Sequence, residues 1–197
     1  MTTTKYFLDT EFIEDGKTID LISIGLVRED GATLYLQNSE CNFTKASDWV
    51  WRNVFPHLIH FSMRGCRSCC GQARSYDSGL EHRTSTKCTD SLIEPCFWAN
   101  RREIADNVMD FCDPTQHGKP EFWGYFADYD WVAFCQLFGS MIDLPKGFPR
   151  YCRDIKQWAD ALGEIQLPKP VLANHHALHD AIWTAEAYEF LAKRSNP

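Results

Sequence analysis

Apolar positions along the chain follow two periods, and each period marks elements. Tyr6-Phe7-Leu8 predicts a short strand over 5–9, and the β-branched run Ile19 to Val27 predicts a second. Asp30-Gly31 is a hairpin dipeptide, after which alternation over 32–37 predicts a third strand. The first 40 residues thus read as an antiparallel meander. Asp48 is placed to cap a helix running to about Val54, ahead of Pro56. Helical spacing returns over Arg101 to Cys112 with Ile104, Ala105, Val108 and Phe111 on one stripe. Phe122 to Phe126 is an aromatic strand, and Trp131 to Phe138 a helix ending before Gly139. Arg150 to Ile155 predicts a last strand, followed by a helix to about Leu162. Leu178, Ala181, Ile182, Ala185, Tyr188 and Leu191 form the stripe of a C-terminal helix. This order predicts an α/β domain with a mixed central sheet flanked by helices. No internal repeat is visible. The stretch 62–97 is rich in Ser, Arg, Gly and Cys and follows neither period, so it reads as an inserted loop.

At 197 residues the chain fits a single domain over 1–197. No apolar run approaches the roughly 20 residues of a membrane helix. Met1-Thr-Thr-Thr-Lys5 leads into the first strand with no apolar leader, so a cytoplasmic protein is expected. Nine cysteines, an odd number, read as reduced thiols rather than a disulfide framework. The net charge of −7 argues against a nucleic-acid partner unless bound cations offset it.

Carboxylates decide where such cations would sit. Asp9 and Glu11 lie two apart in a strand and therefore on one face. Two adjacent anions repel unless a cation lies between them, and Mg²⁺ favours carboxylate oxygens. Alone, an Asp-x-Glu pair is a common solvated strand end. Asp130, after Tyr129, falls at a helix start, where the dipole by itself would favour an acid. Asp128 competes for the cap of that helix and is assigned to it. His175-His176-Ala177-Leu178-His179-Asp180 leads into the last helix. His175 and Asp180 are five apart and cannot share a helical face, so His175 is expected on the entering loop. Both could reach one cleft.

In this order the motifs resemble the DnaQ-like 3′–5′ exonuclease superfamily, in its subclass with a catalytic histidine. Phe7-Leu-Asp-Thr-Glu-Phe12, Phe122-Trp-Gly-Tyr-Phe-Ala-Asp-Tyr-Asp130 with Gln136-Leu-Phe-Gly139, Asp154-Ile-Lys-Gln157 and His175-His-Ala-Leu-His-Asp180 are similar to the RNase AS-like exoribonuclease family. The resemblance covers most of the chain outside 62–97. It implies a ribonuclease H-like fold and a 3′–5′ exoribonuclease acting on single-stranded RNA, with nucleoside 5′-monophosphates as products. Asp9, Glu11, Asp130 and Asp180 would hold two Mg²⁺ or Mn²⁺ ions about 4 Å apart. His175 would be the general base, chosen over His176 and His179 by the spacing alone; histidine suits the role because it ordinarily titrates near neutral pH. Phe12 and Thr10 would meet the substrate, although Phe12 reads equally well as core. A preference for adenylate-rich 3′ ends and a homodimer come with the family. One departure is that most of the superfamily carries an Asn four to five residues before the second-motif Asp. Tyr125-Phe126-Ala127-Asp128-Tyr129 stands there instead, which leaves the substrate-orienting contact unassigned. The rivals are a single-stranded DNA exonuclease on the same site and an inactive RNA- or partner-binding module, against which stand all five expected catalytic side chains.

Cys66-x2-Cys69-Cys70, with His82, Cys88 and Cys96, has the composition of a small Zn²⁺ site. One Cys-x-x-Cys is half a signature, and Cys88 and Cys96 lack the paired spacing. The alternative is a loop whose Arg64, Arg67, Arg74 and Arg83 touch phosphates.

Overall fold

A computed structural model of the chain describes residues 2–58, 97–172 and 175–195. The expected inserted loop, its cysteines, His82 and its four arginines lie outside the described residues, except for Phe97 at its end.

The meander is present as β1 (Thr3–Glu14), β2 (Ile19–Arg28) and β3 (Thr33–Asn38). Its first turn is held by Asp15 Oδ1, which accepts from the amides of Lys17 and Thr18. The second is the expected Asp30-Gly31 turn, with Asp30 Oδ1 accepting from the Ala32 amide and Gly31 at φ 90°. α1 (Asp48–Asn53) follows, capped by Ser47 rather than Asp48, since the Ser47 hydroxyl accepts from the Val50 amide. Then come β4 (Trp98–Ala99), α2 (Arg101–Phe111), α3 (Pro114–His117) and β5 (Lys119–Gly124). α4 (Asp128–Gln136), β6 (Arg153–Asp154), α5 (Ile155–Ala161) and α6 (Ala177–Ser195) complete the described chain. α2 begins with a reciprocal Asn100–Glu103 capping box.

The sheet order is β4-β3-β2-β1-β5-β6. β1, β2 and β3 pair antiparallel, while β3–β4, β1–β5 and β5–β6 pair parallel. This is the mixed, ribonuclease H-like sheet that the resemblance implies, and its long β1 is central. Alternation along β1 assigns the two faces. Tyr6 and Leu8 join Ile104, Val108, Phe122 and Phe134 under α2 and α4. Phe7 and Val27 pack against Ala181 of α6. Asp9 and Glu11 continue the Phe7 face toward the C-terminal end of β1. Among the described residues no helix is long and apolar enough to cross a membrane.

Three further expectations change. β5 ends at Gly124, not Phe126, because Phe126 takes φ 54°, which no strand allows. α4 starts at Asp128 rather than Trp131, and its N-cap is Ala127 with no side-chain cap, so Asp128 does not cap it. β6 is two residues long rather than spanning 150–155.

Candidate active site

β1 brings Asp9 and Glu11 to its end on the face covered by α6. The first turn of α6 brings Asp180. Oxygen atoms of these three carboxylates all lie within 4.8 Å of one another. Asp130 comes from the first turn of α4 and stands outside that group of three. Its Oδ1 accepts from the Thr10 amide at 2.8 Å and from the Thr10 hydroxyl at 2.5 Å. The Thr10 hydroxyl expected to meet the substrate is therefore donated to Asp130 and sets where that carboxylate points. All four acids line one cleft of about 490 Å³ with Phe12 and His175.

α6 reaches the acids because β2 carries no side chain where the helix lands. Gly25 is the register partner of Asp9. A Cβ at Gly25 would lie 2.3 Å from the Ala177 carbonyl oxygen and 2.5 Å from the Leu178 nitrogen. The start of α6 thus rests on bare backbone. Gly25→Ala is expected to lift that end of the helix, at about 1–3 kcal/mol for overpacking. Thermal melting and activity should fall together in this variant. An unchanged melting temperature with full activity would show that the contact does not seat α6.

The electrostatics of the cluster run one way. Burial, then Asp180 and Asp130, push Glu11 up to about 8. Burial, then Asp130, Glu11 and Asp180, raise Asp9 well above the carboxylate range. Burial holds Asp130 at about 6 against the two Thr10 hydrogen bonds. Asp180 is also raised by burial, although the His175 amide donates to its Oδ2 at 2.8 Å. Among the described residues no Lys or Arg forms an ion pair with any of the four. Hard oxygen donors that repel one another in a partly buried cleft are the donor set a divalent cation takes. The residues fit that group.

A pH dependence follows with a definite sign. Glu11 has a raised folded pKa, so its contribution to stability is full at low pH and falls as pH rises from 4.5 toward about 8. His176 acts oppositely: burial, then His179, lower it from 6.5 to about 4, so its contribution is lost only below 6.5. The window from pH 6.5 to 8 therefore separates the two. The metal-free protein is expected to melt at a lower temperature at pH 8 than at pH 6.5. Mg²⁺ or Mn²⁺ should raise the melting temperature more at pH 8. Equal metal-induced shifts at both values would count against the carboxylates as ligands.

The three neighbouring histidines part company. His175 stands in the entering loop, as expected, with φ 63°. Its ring meets that of Trp49 edge-on at 4.8 Å and lines the cleft. His176 is buried and stacked between Tyr35 at 4.4 Å and His179 at 4.1 Å, facing β3. Phe12 also lines the cleft, with its ring edge-on to Tyr129 at 5.8 Å. Trp49, Tyr125 and Trp183 complete the aromatic wall and were not foreseen. Trp49 is 53% exposed on a short helix, a signal in principle, but nothing local aims it at the cleft. Gly25 inside a β-branched run was the clearer missed sign, since an isolated strand glycine marks close backbone approach.

The Rv2179c-like 3′–5′ exoribonuclease domain, as a family model, matches residues 4–192. The chain belongs to this family. The 3′–5′ exoribonucleases MT2234.1 and Rv2179c of Mycobacterium tuberculosis strains CDC 1551 / Oshkosh and ATCC 25618 / H37Rv are each 32% identical over 177 residues, 90% of this chain and 86% of theirs. A solved structure described as 3′-end specific recognition of histone mRNA stem-loop by 3′-exonuclease aligns at TM-score 0.47 and 12% identity, covering 97% of this chain and 82% of that one. As a member of the Rv2179c-like family the chain is a 3′–5′ exoribonuclease by class. Exonucleases of this class generally depend on divalent metal, and the Asp9–Glu11–Asp180 group is the acidic cluster where an ion would sit.

Proposed function

We propose that the cleft hydrolyses the 3′-terminal phosphodiester of single-stranded RNA and releases nucleoside 5′-monophosphates. The observation that carries this reading is the convergence of Asp9, Glu11 and Asp180 within 4.8 Å in a cleft that also holds His175. Asp9, Glu11, Asp130 and Asp180 would hold two Mg²⁺ or Mn²⁺ ions. When bound, such ions lower the pKa of an attacking water and neutralise charge on the scissile phosphate. Two dications would also offset the four negative charges of these acids, which removes the objection from net charge.

The chain's own residues have separate tasks. Thr10 fixes Asp130 through two hydrogen bonds. The His175 amide fixes Asp180, and the ring beside Trp49 is free of the His176–His179 stack. In this reading the His175 ring takes the proton from the attacking water. Phe12, Trp49, Tyr125 and Trp183 line the cleft, and aromatic rings suit splayed single-stranded bases better than a paired duplex. A homodimer and a cytoplasmic place of action belong to the same reading, the first from the family resemblance and the second from the sequence expectations of no apolar leader and of reduced thiols.

The test is a time course on 5′-labelled single-stranded RNA with Mg²⁺, with Mn²⁺ and with EDTA, beside a matched DNA. A ladder shortening from the 3′ end of the RNA, abolished by EDTA, is expected. Internal cuts, EDTA-resistant cleavage or faster degradation of the DNA would each overturn part of the reading.

A further inference from the structure

Phe126 is 61% exposed, yet its backbone sits at φ 54° in the left-handed region. Bulky side chains avoid that region, and a strained residue persists only where its surroundings over-determine it. They do so here on both sides. Before Phe126, a Cβ on Gly124 would meet the Ala127 Cβ at 2.6 Å and the Leu8 carbonyl oxygen at 3.3 Å, so the chain turns hard against β1. After it, the Ala127 amide donates to Asp154 Oδ2 at 2.9 Å, and Asp154 is itself fixed as the N-cap of α5. The turn displays an aromatic ring to solvent at the expense of backbone strain. Glycine or asparagine would make the same turn with less strain.

The ring is continuous with the cleft. It packs on Tyr125 at 4.5 Å between centroids, and Tyr125 packs edge-on against Trp183 at 4.8 Å. Tyr125 and Trp183 both line the cleft, whereas Phe126 does not. Trp183, Tyr125 and Phe126 therefore form a run of rings leading from inside the cleft onto the outer surface. A cleft of about 490 Å³ is the size of a small-ligand site, so an RNA strand longer than a few nucleotides must leave it.

We propose that Phe126 is a stacking platform for a base of the RNA strand two or more nucleotides 5′ of the one being removed, outside the catalytic cleft. This rests on the reading of the cleft as an exoribonuclease site. Aromatic faces bind bases of any identity, so the platform adds affinity for length rather than for sequence.

The test compares wild type, Phe126→Ala, Phe126→Tyr and Phe126→Asn on single-stranded RNAs of two and eight nucleotides. Stacking of one base supports an increase in KM for the octanucleotide of about five- to tenfold in Phe126→Ala, near the lower end of such contacts. KM for the dinucleotide should move less than twofold, and kcat should hold on both. Phe126→Tyr should keep the wild-type KM. Phe126→Asn should bind like the alanine variant while melting no lower than wild type, which separates binding from folding. Three results overturn the proposal: an octanucleotide KM unchanged in folded Phe126→Ala, an equal loss on both lengths, or a loss that tracks dissociation of an oligomer in sedimentation. If wild type cuts neither RNA, the parent reading fails instead. Fluorescence anisotropy of the labelled octanucleotide in Mn²⁺ then still reads the platform by comparing wild type with Phe126→Ala.

Discussion

Asp9→Asn is expected to abolish turnover while leaving the fold intact. Asparagine keeps the size of aspartate and removes the charge. Asp9 is the acid on which the others act together, since Asp130, Glu11 and Asp180 all raise it after burial does. Removing it takes away one of the three carboxylates whose oxygens converge within 4.8 Å. Cation stabilisation of the phosphoryl transition state is several kcal/mol, so its loss is about 10³-fold or more in rate. Stability should move the other way. A buried carboxylate among like charges destabilises the metal-free fold once ionised, and the neutral amide lacks that penalty. At pH 8 the metal-free variant is therefore expected to melt no lower than wild type, and the melting-temperature rise on adding Mn²⁺ should shrink. Asp180→Asn should behave alike in rate, with a smaller gain in stability because the His175 amide already supports that carboxylate. Rates and melting curves measured on the same preparations decide this. Full activity in either variant would remove the residue from the site.

These side chains were legible because their placement follows from local rules. Asp9 and Glu11 share a face by the period of a strand, and His175 precedes α6 because five residues exceed one helical turn. The meander and its Asp30-Gly31 turn were legible for the same reason. Elements of two to four residues were less so: β4 and α3 are shorter than any period that would announce them, and of the strand expected over 150–155 only Arg153–Asp154 forms. The β5–α4 boundary slipped because a left-handed Phe126 ends the strand where the aromatic run continues. Long-range contacts were illegible in kind. Thr10 and Asp130 lie 120 residues apart, and nothing in either segment says that one hydroxyl is donated to the other's carboxylate. The same holds for Trp49 beside His175, and for Gly25 beneath Ala177. Sequence motifs name the acids, whereas packing decides which of them meet and what holds them in place.

His175→Asn is expected to lose about 10²–10⁴-fold in rate, the range for a positioned general base, while metal binding persists. The choice of asparagine follows from the backbone. His175 sits at φ 63°, where asparagine is among the few residues that fit easily, so the loop should keep its path. The bond from residue 175 to Asp180 Oδ2 comes from the main-chain amide and survives any side-chain change except proline. The carboxylate group therefore stays assembled, and the metal-induced melting shift should match wild type. His175→Ala should show the same rate loss with a slightly lower melting temperature, since alanine tolerates the left-handed region less well. His179→Ala provides the contrast. Its ring stacks on buried His176, so its removal opens a gap under the start of α6 and should lower the melting temperature. The predicted pattern is a rate effect with an intact fold at 175 and a stability effect at 179. Loss of rate with an unchanged melting temperature in His179→Ala, beside a mild His175→Asn, would transfer the base assignment to the other histidine.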